Sequence, residues 1–171
     1  SHFYTSFTFP FLHGSFPHFL NNASALIILG TLLRYFHRKN SILIFMMIFL
    51  IHGPLTFFIA SGGRHVGASG IIFGLASFLL FNGIWSKNRS LMSVALVVVF
   101  LYGGMIWGIL PQDGKISWEG HLAGFICGFV LSFFYIKHEP PRPFDENKQD
   151  FDLWNFRKYF PEPSIDEREE P

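Results

Sequence analysis

The chain has 171 residues, of which 50% are hydrophobic and only 15% charged, with 13 Lys and Arg against 12 Asp and Glu. These charges divide unevenly: residues 1–138 hold eight basic and two acidic side chains, and residues 139–171 hold five and ten. A water-facing surface carries about a quarter charged residues, so no soluble domain is expected over residues 1–138. The near-zero net charge argues against a nucleic-acid partner, which calls for a clustered basic face, and the single Cys127 excludes an internal disulfide framework.

The first sixteen residues set Phe3, Tyr4, Phe7, Phe9, Phe11 and Phe16 around Pro10 and Pro17. They are too short and broken to span a bilayer and read as an aromatic interfacial lead-in. No charged n-region or cleavage site marks a signal peptide, and the start at Ser1 rather than Met is expected of a fragment or a processed form.

Five apolar stretches follow, at approximately 17–36, 42–60, 69–85, 91–110 and 120–136. Each reaches the roughly 17 to 20 residues that a helix needs to cross a bilayer core. The breaks between them are Arg38 to Asn40, Ser61 to Gly63, Lys87 to Arg89 and Pro111 to Gly114, and each reverses the chain. The fold class expected is all-α, a polytopic membrane helix bundle embedded in the lipid bilayer. Cytoplasmic loops carry the excess of Lys and Arg. Arg34, Arg38 and Lys39, then Lys87 and Arg89, then Lys137 and Arg142 therefore mark the inner side, against only Arg64 and Lys115 on the outer loops.

Residues 139–171 form an acidic, Pro-containing tail, expected in the cytoplasm and largely disordered. Within it Phe151, Trp154, Tyr159 and Phe160 interleave with Arg157 and Lys158, a pattern that also fits a short amphipathic element on the inner membrane surface.

Polar groups inside a membrane are expensive, so each calls for a function. His18 and Asn22 lie four apart on the first stretch and share a face. Gly67, Ala68, Ser69 and Gly70 open the third, and His121 opens the fifth, followed by Gly124 and Gly128. Successive reversals place all three sets at the outer side. A serine hydroxyl needs a neighbouring base, and histidine suits that role at neutral pH. The N–H groups at a helix start can hold a developing oxyanion, to which His18 and Asn22 would add side-chain donors. Gly120, Gly124 and Gly128, with Gly70 and Gly74, form small-xxx-small steps that let the third and fifth helices approach backbone to backbone.

In that order along the chain, His18-Phe-Leu-Asn-Asn22 resembles HxxxN, Gly67-Ala-Ser69-Gly70 resembles GxSG, and His121 through Gly128 resembles HxxGxxxG. Together they resemble the motifs of the rhomboid family of intramembrane serine proteases, over about residues 5–137. The resemblance implies a protease core over residues 1–138 with a Ser69/His121 dyad and no third carboxylate. It implies an oxyanion hole of His18, Asn22 and the Ser69 N–H, with the Ala68 N–H adding to it. It gives His13 a structural place near the site and makes Phe73 the aromatic residue that packs on the catalytic imidazole. The substrates implied are transmembrane segments of other membrane proteins, destabilised near the cut by Gly, Ala, Ser or Pro. No cofactor and no metal is implied. The resemblance also implies a first helix and a large outer loop, expected ahead of Ser1, and Arg34 stands where the family often has an acidic residue.

Blander readings sit beside these. Ser69 would also serve as a packing residue or N-cap, and His18 and Asn22 would simply bond each other or a neighbour. His52, beside Gly53-Pro54, is expected to bond carbonyls freed by a Pro kink. Metal ligation lacks zinc-like spacing, and Cys127 reads as packing. Two other functions remain: a non-catalytic rhomboid-like protein that binds or escorts transmembrane clients, and a small transporter. The second would need paired acidic residues or an inverted repeat, and the sequence has neither.

Overall fold

The fold is seen in a computed structural model, which describes residues 3–60, 66–86, 89–111 and 118–136. The tail from residue 139, with its aromatic stretch, and most of the outer loops lie outside the described residues. Among the described residues the regular structure is entirely helical, in the order α1 (Thr5–Thr8), a 3₁₀ turn (Phe9–Phe11), α2 (Phe16–Phe36), α3 (Ser41–Ile59), α4 (Ser69–Trp85), α5 (Arg89–Tyr102), a 3₁₀ segment (Gly103–Ile109) and α6 (Trp118–Phe134).

Local chemistry sets several boundaries. The Ser15 side chain caps α2 by accepting the His18 N–H at 3.3 Å, and Pro17 fills the first turn where its missing N–H costs nothing. At the other end the His37 N–H reaches the Leu33 carbonyl at 2.8 Å, and the Arg34 guanidinium donates to the Arg38 carbonyl. The fourth expected span departs from a single helix. It is α-helical only to Tyr102 and continues as a 3₁₀ segment from Gly103-Gly104 onward, because two adjacent glycines give up the helix preference of the preceding Leu, Val and Phe.

Helices α2 and α3 are long and apolar enough to cross a membrane, while α4, α5 and α6 are apolar but shorter. Only 17% and 28% of the apolar windows of α2 and α3 are buried inside the bundle. Ile27, Ile42, Phe58, Phe100 and Phe134 all point outward. A soluble core would bury such side chains, whereas an outer face of this kind matches lipid.

α4 is the centre of the bundle. It is apolar all round, and residues 70–75 and 77–79 are buried without interruption, as expected of a helix enclosed by others. Its most intimate neighbour is α6. A Cβ at Gly124 would overlap the Gly70 carbonyl, and one at Gly128 the Gly74 carbonyl, so both glycines are required by the close approach. The Ser77 hydroxyl ties the same helices by donating to the Phe125 carbonyl at 2.9 Å. α5 closes on α4 at Gly83, where a Cβ would meet Leu91 and Ala95.

The lead-in does more than line an interface. Ser6 and Pro10 are buried, and the Ser6 backbone occupies the space beside Gly53 of α3. Phe3 and Phe11 make edge contacts with Phe57 and Phe49, while Tyr4, Phe11 and Phe16 keep much of their rings exposed.

His37, between α2 and α3, is buried against the edge of Phe78 at 5.2 Å, and its Nε2 has no partner. Burial pushes its imidazole from 6.5 down to about 4. The folded chain therefore refuses a proton that the unfolded chain accepts, and stability falls as pH drops from 6.5 toward 4, by up to about 3 kcal/mol. Thermal unfolding in detergent between pH 7.5 and 4.5 should show a falling midpoint for the wild type and a flatter profile for His37→Leu. Identical profiles would remove His37 as the cause.

Candidate active site

The site gathers at one end of α2, α4 and α6. Gly67 adopts φ +96°, a region that suits glycine, and its N–H donates to the Phe9 carbonyl at 3.0 Å. That bond fixes the loop entering α4, so Ser69 becomes the first residue of the helix. A Cβ at Gly67 would lie 2.8 Å from the His18 ring and 3.0 Å from Asn22 Nδ2. Both α2 side chains are thereby packed on the segment that leads into Ser69.

The backbone approach of α4 and α6 brings together the two side chains that open these helices. The Ser69 hydroxyl donates to Nε2 of His121 at 2.8 Å. The far side of the ring is held by a group that the sequence did not point to, because the His121 Nδ1–H donates to the Gly108 carbonyl at 3.0 Å. A carbonyl can only accept, so the proton sits on Nδ1 and the lone pair on Nε2 faces serine. The 3₁₀ segment after α5 presents that carbonyl, and Gly108 leaves room for it: a Cβ there would come within 3.2 Å of the His121 ring. Only the Gly103-Gly104 pair hinted that the fourth span would end early.

Phe73, one turn beyond Ser69, stacks on His121 with centroids 4.2 Å apart and planes 12° from parallel. The imidazole is thus fixed by serine at one nitrogen, a carbonyl at the other and a ring on its face. Chemically, the arrangement pairs a hydroxyl with a base whose tautomer is already set, which is what an activated nucleophile requires.

Donors for a developing negative charge lie nearby. Asn22 is buried and its Nδ2 has no hydrogen-bond partner, and the Ser69 and Gly70 N–H groups precede the first intrahelical acceptor of α4. His13 makes edge contacts with His18 at 5.2 Å and with Phe19 at 5.3 Å, so it buttresses His18. Gly70 and Gly124 meet directly beneath the pair, and Gly128 does the same one turn deeper against Gly74. Ala68, the N-cap of α4, is buried and its carbonyl accepts from Ile71 at 3.0 Å.

Glu119 falls in the first turn of α6 and is buried, although the sequence placed it in a loop outside the spans. Among the described residues no three His, Cys, Asp or Glu side chains converge as metal ligands would.

Comparison with known proteins gives a consistent picture. The Rhomboid domain matches residues 1–138 of the chain. An uncharacterized protein of Mycobacterium tuberculosis is 34% identical over 133 residues, covering 72% of this chain and 55% of the relative. RHOMBOID-like protein 5 of Arabidopsis thaliana is 34% identical over 130 residues, 70% of this chain and 41% of the relative. RHOMBOID-like protein 1 of the same plant is 31% identical over 134 residues, 76% and 34%. The matched segment spans about half the length of the mycobacterial relative and less of the plant ones.

The Gly70–Gly124 contact carries the Ser69–His121 distance. Gly124→Val should force the helices apart, lowering stability by about 1–3 kcal/mol and moving the ¹⁵N resonance of His121 Nε2 away from its hydrogen-bonded position. An unmoved resonance would show that the pair does not depend on this contact.

Proposed function

Because the chain belongs to the rhomboid family, we propose that it is an intramembrane serine endopeptidase that cuts transmembrane segments of other membrane proteins. Family membership together with the apolar helices α2 and α3 makes it an integral membrane protein. The observation that carries the catalytic reading is the 2.8 Å bond from the Ser69 hydroxyl to a His121 ring whose other nitrogen is already engaged.

In this mechanism Ser69 Oγ attacks the scissile carbonyl carbon as its proton passes to His121 Nε2. The tetrahedral oxyanion is held by the Ser69 N–H, the Asn22 amide and His18, with the Ala68 N–H adding to them. Collapse breaks the C–N bond, and the imidazolium returns its proton to the leaving amine. Water, deprotonated by the same imidazole, then hydrolyses the acyl-enzyme and restores Ser69. The Gly108 carbonyl stands where soluble proteases place a carboxylate. It orients the ring without burying a second charge in lipid, where an isolated ion is costly.

The distribution of Lys and Arg supports an outward-opening site with the tail in the cytoplasm. Substrates on this reading are single-span helices whose outer half is weakened by Gly, Ala, Ser or Pro, since the scissile strand must leave its helix to reach Ser69.

The test is cleavage of such a single-span substrate by protein reconstituted in liposomes. Ser69→Ala should abolish cleavage while the fold is kept, and Asn22→Ala should lower kcat by about 10²- to 10³-fold. Cleavage undiminished in Ser69→Ala would refute the mechanism. Binding of the substrate by the folded wild type without any cleavage would favour a non-catalytic escort.

A further inference from the structure

A cavity that the proposed mechanism does not use lies between α4, α5 and α6, with a volume of about 220 Å³. Its floor is Phe73, Ser77 and Val98, all buried, and its rim is Val99 and Gly103, both exposed. On α4 the lining runs from Phe73 to Leu80, which at a rise of 1.5 Å per residue lies roughly 6 to 17 Å along the helix from Ser69. That is the central part of α4. At this depth of an integral membrane protein the surrounding solvent is lipid tails.

The walls decide what can enter. Ser77 and Tyr102 are the polar side chains among them, and the Ser77 hydroxyl is already donated to the Phe125 carbonyl at 2.9 Å. A buried water needs about two to four polar partners, and an apolar cavity of about 150 Å³ stays dry while admitting benzene or xenon. A helix, about 10–12 Å across with its side chains, is too wide for the space. A single hydrocarbon chain fits it, and its route is open: a Cβ at Gly103 would meet only Val99 Cγ1, at 3.6 Å. The rim continues into Leu96 and Phe100, which face outward from the same helix. Left empty, the lining would forfeit dispersion contacts that such a chain restores.

We propose that this cavity is the seat of one acyl tail of a bilayer lipid, which enters over Val99 and Gly103 and ends against Phe73. Phe73 is the ring that stacks on His121 with centroids 4.2 Å apart, so the tail comes within one side chain of the imidazole. The seat follows from the shape and lining of the cavity and stands apart from the peptidase reading.

The test uses the full chain, deuterated except at Ala, Val and Leu methyls and Phe rings, in nanodiscs of protonated dioleoyl phosphatidylcholine. Nuclear Overhauser effects from tail methylenes are read at each site by NMR. Leu96 is 65% exposed and reports the surrounding lipid, whereas Val98 is 3% exposed and is reached only from within the cavity. The wild type should show tail contacts at Val98, Ala76 and Phe73 as well as at Leu96. In Ala76→Phe, whose added ring fills the cavity, the contacts at Val98 and Phe73 should disappear while that at Leu96 stays. Should Ala76→Phe not fold, Val99→Phe closes the rim under the same criteria. A folded wild type with tail contact at Leu96 but none at Val98 and Phe73, water contacts at Val98 instead, or tail contacts at Val98 unchanged in the filled variant would each overturn the proposal.

Discussion

The contact on which the rest depends is the backbone-to-backbone approach of α4 and α6 at Gly70–Gly124 and Gly74–Gly128. Lipid offers no hydrophobic drive for helices to associate, so packing and interhelical hydrogen bonds must hold them. The glycines remove the side chains that would keep the axes apart, and Ser77 adds a hydroxyl bond across the seam. Two residues at the starts of these helices then stand 2.8 Å apart. Without that seam Ser69 and His121 would be isolated polar groups in an apolar bundle.

Around this pair orientation comes from ring contacts and a backbone carbonyl rather than from a carboxylate. Phe73 stacks on the imidazole, the Gly108 carbonyl fixes its tautomer, and His13 supports His18. A carboxylate in any of these places would have to be desolvated in a low-dielectric interior, which costs several kcal/mol unless it is fully paired. The lead-in contributes through Phe9, whose carbonyl holds Gly67 and whose ring covers His52. The site is therefore a junction of five chain segments, the lead-in, α2, α4, the 3₁₀ segment and α6, with α4 as the shared member.

The helices, and the meeting of Ser69 with His121, were legible because their signals are local. Four stretches, 17–36, 42–60, 69–85 and 120–136, lie close to α2, α3, α4 and α6, since length and apolar content alone make a lipid-facing helix. Small-xxx-small spacing likewise foretold which helices meet. What escaped were features created by tertiary contact. The Gly108 carbonyl is a backbone atom that any residue carries, and only the 3₁₀ path after Tyr102 aims it at His121. The same path shortened the fourth span, because hydropathy remains high through Met105 to Leu110 while Gly103-Gly104 releases the helix. The nearest sequence feature to His52 is a proline kink, whereas its ring bonds the Phe49 carbonyl and packs on Gly70 and Phe9.

The central claim is that Ser69 is an activated nucleophile because His121 is held ready to take its proton. The most direct measurement is reaction of the folded, detergent-solubilised protein with a fluorescent fluorophosphonate, with the modified residue located by mass spectrometry. A single label on Ser69 in the wild type, lost in His121→Ala as well as in Ser69→Ala, is the result predicted. A folded wild type that takes no label on Ser69, or a His121→Ala protein that labels as fast as the wild type, would contradict it.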